Sequence, residues 1–245
     1  MKIRKSEILK YFFLGGLIAL PFVFWPSAPV PYEIPRVYFV NRWIEVMVVI
    51  GTLTNLNKLR KEKLDKKLIF LVGSFFIVAV ISSYFGVNFQ KSILGNYYRS
   101  DGLITLSHLV GLFFATLVFV KKDWIKDIVV SISLGAFLVS IWVLFDAFKL
   151  YVLNIYSTPN WDGAIGVTFG NPNFLAGYLV VTLPFIAYLT TKFEKRRLLL
   201  FSVLAIQITA ILLTKALGGI LGILVFFALK VIFQKIKFRG IILSF

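Results

Sequence analysis

The 245-residue chain has no cysteine, one histidine, two methionines and only 11 acidic residues against 27 basic ones. Without cysteine there is no disulfide, no thiol nucleophile and no thiolate metal ligand. With His108 as the lone histidine, a zinc centre and the hydrolytic chemistry it supports are excluded too. The shortage of acids reaches the first long break between apolar runs, PSAPVPYEIPR at 26–36, where Glu33 is the only carboxylate. A divalent cation needs several carboxylate or carbonyl oxygens, so this loop is not expected to hold one, and no residue pattern in the chain calls for a cofactor.

What the chain has in excess is apolar surface. Hydrophobic residues make up 59%, with 26 Phe, against about 45–50% in an ordinary soluble protein. Apolar runs long enough to cross a bilayer, about 17–25 residues each, fall near 8–25, 38–56, 68–86, 102–120, 127–147, 173–191, 198–214 and 217–234. Ile241–Phe245 then reads as the first turn of a ninth span. The expected fold is all-α: a polytopic transmembrane helix bundle forming one integral membrane domain over residues 1–245. The opening run is followed by WPSAP, a poor cleavage site, and by further spans, so it reads as a membrane helix rather than a signal peptide.

The charge of +16 does not point to nucleic acid, because the basic residues sit in short breaks between apolar runs rather than on one soluble face. Of the 27, 21 fall in positions 2–10, 58–67, 121–126, 192–197 and 230–239. Positive loops stay in the cytoplasm, which predicts a cytoplasmic N-terminus and an outward-facing set of alternate loops. Among these are the two longest outer connections, Val87–Asp101 and Lys149–Pro172. Yet Arg36, Arg42, Glu45, Arg99, Asp101, Asp146 and Lys215 lie at or near the expected outer ends of spans. An outward polar cavity binding an anion explains them, since a guanidinium such as Arg99 forks onto phosphate oxygens. The structural alternatives stand beside it. Arg42 and Glu45, three apart on one helical face, can neutralise each other, Asp101 is near enough to partner Arg99, and Lys215 can snorkel. His108, roughly 9 Å below the outer start of its span, reads as a hydrogen bonder between helices. Gly218 and Gly222 make a small-residue packing face, and Pro184 is placed to kink its helix.

The densest motif is Gly163–Val181, GAIGVTFGNPNFLAGYLVV, a glycine-punctuated loop running through Asn171-Pro172-Asn173 into an apolar segment. Asn171 or Asn173 can cap the helix, with Pro172 tolerated at its start. The same helix end can hold an anion on its free N–H groups, with Gly166 and Gly170 leaving room for close approach.

Gly166-Val167-Thr168-Phe169-Gly170-Asn171-Pro172-Asn173-Phe174-Leu175-Ala176-Gly177-Tyr178-Leu179 resembles the G-x-x-F-G-N-P-N-x-L-A-x-Y-L signature of the O-antigen ligase and polymerase family. Leu94–Leu103, LGNYYRSDGL, is similar to that family's G-x-x-x-R-x-x-G-L element. Thr214-Lys215-Ala216-Leu217-Gly218-Gly219 stands where the family has T-x-S-R-G, with Leu217 in place of the arginine and Lys215 two residues before it. The resemblance covers roughly residues 68–234. It implies a bacterial cytoplasmic-membrane glycosyltransferase of GT-C type, inverting and metal-independent. The enzyme moves a glycan from an undecaprenyl-diphosphate carrier to a glycan, lipid or protein acceptor on the outer face. On this reading Arg99, Asn171, Asn173, Lys215 and Arg42 hold the donor diphosphate, and the partners are the lipid-linked glycan, its acceptor and membrane lipids, with no nucleic acid. The family's large outer catalytic loop would follow residue 245, so this part alone is expected to be inactive. A lipid-linked glycan flippase or transporter, with charges near the midplane, and a non-catalytic membrane fragment are the alternatives.

Overall fold

The structure, a computed structural model, describes residues 5–59, 65–149 and 164–242. The regular elements among them are helices: α1 (Lys5–Ala19), α2 (Glu33–Leu59), α3 (Lys66–Tyr84), α4 (Phe89–Leu94), α5 (Leu103–Phe119), α6 (Ile125–Ala147), α7 (Pro172–Lys192), α8 (Arg197–Leu213) and α9 (Leu217–Ile242). The all-α expectation holds. Among the described residues, five helical segments are long and apolar enough to cross a membrane: Glu33–Thr54, Lys66–Tyr84, Lys122–Ala147, Pro172–Lys192 and Glu194–Leu213. They mark the chain as a membrane protein.

The departures from the eight expected runs have local causes. α1 stops at Ala19 because Pro21 has no N–H to donate and disfavours helical backbone at the residue before it, so the run to residue 25 continues as a 3₁₀ turn, Leu20–Phe22, and extended chain. α2 starts earlier than expected, with Glu33 in its first turn, where a carboxylate complements the helix dipole. α9 runs unbroken through the basic stretch 230–239 to Ile242. The break expected there, and the ninth span expected from Ile241, are therefore parts of one helix, and residues 243–245 lie outside the described residues. Lysine and glutamine are good helix formers: a cluster of charges sets where a helix leaves the apolar layer, not where its hydrogen bonds end. Most of the long connection expected at Lys149–Pro172, and residues 60–64 of the second basic break, also lie outside the described residues.

The chain divides into two compact units, Met1–Ile128 and Val129–Phe245. In the N-terminal unit α2 packs against α1 and α5. Leu9, Phe13, Trp43, Ile44, Met47, Ala115, Phe119 and Trp124 form the core. Two glycines set the spacing. A methyl on Gly16 would lie 2.0 Å from the indole nitrogen of Trp43, and one on Gly51 2.6 Å from the Phe119 ring. Lys10 of α1 pairs with Asp127 at the start of α6. α3 buries none of its residues and turns Phe70, Leu71, Phe75 and Val78 outward, a surface suited to lipid.

In the C-terminal unit α7 packs against α8 and α9. Leu175, Leu179, Leu183 and Ile186, spaced as one helical face, are wholly buried. A Cβ on Gly219 would meet Ala176 and Ile211, and one on Gly222 would meet Val180 at 2.6 Å, while Gly218 faces open space. The close-packing pair is thus Gly219 and Gly222 rather than Gly218 and Gly222, because the approach to α7 follows a three-residue ridge. Positions rise together along both helices, Ala176 with Gly219 and Val180 with Gly222, so α7 and α9 run parallel and start at the same end. Gln207 of α8, fully buried, donates from Nε2 to the Leu179 carbonyl (2.6 Å) and to Thr182 Oγ1 (2.8 Å). Pro184 sits exposed within α7, which runs on through it. α6 buries Ser131, Ser133, Gly135, Ala136 and Ser140 and exposes Leu134, Leu138 and Phe145. Small and polar residues inside with large apolar ones outside is the pattern of a helix in lipid.

Candidate functional site

The five candidate residues divide between the units, Arg42 and Arg99 in the first, Asn171, Asn173 and Lys215 in the second. Arg99 lies in a loop tied at its neck. A Cβ on Gly102 would sit 2.2 Å from the backbone nitrogen of Gly95, and Gly95 itself has φ +86°, so both positions need glycine. Inside the loop the Asp101 carboxylate accepts from the Asn96 N–H (3.1 Å), Asn96 Oδ1 accepts from Tyr98 N–H (3.2 Å), and Thr105 Oγ1 donates to the Ser100 carbonyl (2.6 Å). Asp101 therefore serves the loop backbone rather than Arg99. Among the described residues no side chain hydrogen-bonds or ion-pairs with the Arg99 guanidinium, which stands exposed beside the edge-to-face pair of Tyr97 and Tyr98. Below the loop a cleft of about 370 Å³ is lined by Ile34, Asn88, Gln90, Lys91, Asn96, Tyr97 and Ser100, among others.

Arg42 is differently placed. Its Nη2 lies 2.5 Å from Glu45 Oε1, and its guanidinium sits 5.4 Å from the centroid of the Tyr38 ring. The expected neutralisation of Arg42 by Glu45 is present. Both residues stand near the middle of the Glu33–Thr54 segment, however, rather than at its end, because α2 begins at Glu33. Glu45 Oε1 also lies 2.8 Å from Nε2 of His108 on α5, which confirms the expected role of that histidine as a bond between helices. Local sequence carried no sign of this partner, since the two residues are 63 positions apart.

In the second unit, Asn171 is the cap of α7: its Oδ1 accepts from the Asn173 N–H at 2.8 Å. The remaining donors of the first turn are also taken. Pro172 has none, and the N–H groups of Phe174 and Leu175 both reach the Asn171 carbonyl at 3.1 Å. The open donors expected at this helix start are therefore absent. Gly166 and Gly170 are likewise used by the loop itself. A Cβ on Gly166 would lie 2.9 Å from the Gly170 carbonyl carbon, and Gly170 is left-handed at φ +67°. The intervening Val167, Thr168 and Phe169 are buried, with Phe169 5.2 Å from the Tyr178 ring. Asn173 keeps an exposed side chain.

The start of α9 is the converse. Thr214 Oγ1 accepts from the Ala216 N–H at 3.2 Å, and the Gly219 and Ile220 N–H groups reach the Ala216 carbonyl. Among the described residues no acceptor faces the N–H of Leu217 or Gly218. Both residues are exposed, and Lys215, in left-handed backbone at φ +55°, precedes them. Asn173, Lys215 and these two donors share the end at which α7 and α9 both begin, where two helix dipoles present their positive poles. The sequence signal in the Thr214–Gly219 stretch is its missing arginine; backbone donors carry no side-chain signal of their own. Among the described residues no group of acids and histidine could hold a metal ion. Comparison with protein-family models, with curated proteins and with solved structures finds no match to this chain.

Proposed function

We propose that the chain is the membrane part of a GT-C-like glycosyltransferase of the O-antigen ligase and polymerase kind, acting at the outer face of a bacterial cytoplasmic membrane on a prenyl-diphosphate-linked glycan. The observation that carries the reading is the shared start of α7 and α9, where Lys215 and the N–H groups of Leu217 and Gly218, unmet among the described residues, adjoin the stretch carrying the GNPN motif. In such a transfer the acceptor hydroxyl attacks the anomeric carbon, the bond to the carrier diphosphate breaks, and charge builds on the leaving phosphate oxygen. Preset N–H donors and a nearby cation stabilise that charge without a metal, and losing one such donor costs about 10²–10³ in rate. Arg99, in the other unit, is a second cation suited to phosphate and is tested on its own.

The test uses the full gene product, measuring glycan transfer and thermal stability in detergent side by side. Lys215→Ala and Arg99→Lys are expected to lose transfer sharply while keeping the melting temperature. Retention of full transfer by Lys215→Ala, Arg99→Lys and Arg99→Ala would defeat the assignment. A second reading has its own observation: Arg42, Glu45 and His108 bear charge and proton-bearing groups at mid-span, where a transporter of lipid-linked glycan would place them. Proteoliposomes separate the two. Movement of a prenyl-diphosphate-linked sugar between leaflets without consumption of acceptor favours transport, and its absence alongside acceptor-dependent transfer favours the enzyme.

A further inference from the structure

We infer that Arg42, Glu45 and His108 form a proton-binding site within the membrane span, and that the bound proton fastens α2 to α5. The inference does not rest on the transfer reading. It follows from counting hydrogens at the imidazole. Nδ1 lies 2.7 Å from the Ile104 carbonyl oxygen and Nε2 lies 2.8 Å from Glu45 Oε1. A carbonyl oxygen only accepts, and an ionised carboxylate only accepts. Both contacts are hydrogen bonds only if the pair carries one proton more than a neutral imidazole beside a carboxylate. That proton makes an imidazolium donating from both nitrogens, or a carboxylic acid donating from Glu45 to a bare Nε2. Either way Oε1 still accepts from Arg42. Removing the proton leaves one of the two contacts as lone pair against lone pair, and the contact across the helices is one of them.

The surroundings concentrate the effect on this pair. From α2 the cluster is faced by Arg42 with the Tyr38 ring, and from α5 by Ser107, whose hydroxyl is turned to the Leu103 carbonyl. α1 brings Tyr11 to the groove it shares with Arg42. α3 carries its ionisable residues, Lys66, Lys67 and Tyr84, only at its ends, and α4 contributes Lys91, which lines the separate cleft beneath the Arg99 loop. An open, mostly apolar groove of about 400 Å³ runs along Glu45, Ser107 and His108, so the pair is not sealed within the helix packing.

His108 is the chain's one histidine, so protein labelled with ¹⁵N-histidine and reconstituted in lipid bilayers reports this ring alone. At neutral pH two results support the site: protons on both ring nitrogens, or a bare Nε2 together with the infrared band of a protonated carboxyl that E45Q abolishes. In E45Q the amide donates to Nε2, so the ring is neutral with one bare nitrogen and the band is absent. Raising the pH removes one proton from the wild-type pair and lowers its melting temperature over the same interval, relative to E45Q and H108Q. A neutral ring beside an ionised carboxylate at every pH where the protein stays folded overturns the proposal, as does a wild-type melting profile that runs parallel to both variants. The wild-type spectra decide the proton count without any variant, so a substitution that fails to fold leaves the test intact.

Discussion

The two units fasten their helices by opposite means. In the C-terminal unit Gln207 reaches the Leu179 carbonyl and Thr182 from a fully buried position, neutral and flanked by glycine contacts at Gly219 and Gly222. In the N-terminal unit the contact across α2 and α5 joins His108 to Glu45, which is ion-paired with Arg42 on its own helix, and leaves the Glu45 side chain 40% exposed beside an open groove. A neutral buried bond resists change in charge around it and fails when charge is placed in it. A half-exposed ionic one tolerates partial loss and responds to protons. The first behaves as structure and the second as a sensor, although each joins two helices through one polar side chain reaching across.

The comparison breaks most visibly at Gln207. Gln207→Glu puts a fully buried carboxylate against the Leu179 carbonyl, and the cost of an uncompensated buried charge is about 3 kcal/mol or more. Thermal melts in detergent should show a drop far beyond that of Glu45→Gln. If the two substitutions cost the same, the distinction between the units fails. Next in size is the helix contact. Gly222→Ala drives a methyl into Val180, an overpacking cost of about 1–3 kcal/mol, whereas Gly218→Ala enters open space and gains up to about 1 kcal/mol from helix propensity. Equal effects at the two positions would contradict the parallel packing of α7 and α9. Asn171→Ala removes the cap of α7 at about 0.5–2 kcal/mol, with Asn171→Ser recovering most of it, while Asn173→Ala leaves the melting temperature unchanged. The smallest effect belongs to the ionic bond. Glu45→Gln near neutral pH keeps a hydrogen bond to His108 and loses the half-exposed ion pair with Arg42, so the expected cost is about 0.2–1 kcal/mol, and a loss above about 2 kcal/mol would make the cluster structural after all.

Much of this was legible before any coordinate. Apolar length marked the helices, and the asparagine-proline pair marked the start of α7, because a short amide acceptor can cap the first turn and a residue without N–H is tolerated there. Two of the expectations that failed did so for related reasons. The donors at the start of α7 were expected to be open, but Asn171 supplies both its side chain and its carbonyl to them. The basic run 230–239 was expected to end a helix, but charge patterning reports the membrane boundary and not the hydrogen-bond ladder. The Glu45–His108 bond was beyond reach because the two residues meet only when α2 and α5 pack.

By itself the sequence determined the all-helical class, the membrane solvent, the absence of thiol and zinc chemistry, and the asparagine-capped start of α7 at the Asn171-Pro172-Asn173 turn. Each follows from composition or from interactions within a few residues, which the chain carries wherever it goes. Only the tertiary structure decided which glycines bear the close contacts, which helix start keeps open donors, and which carboxylate meets the lone histidine. Those depend on the register between helices far apart in the chain, where a shift of one residue turns a contact face toward lipid and leaves its partner alone.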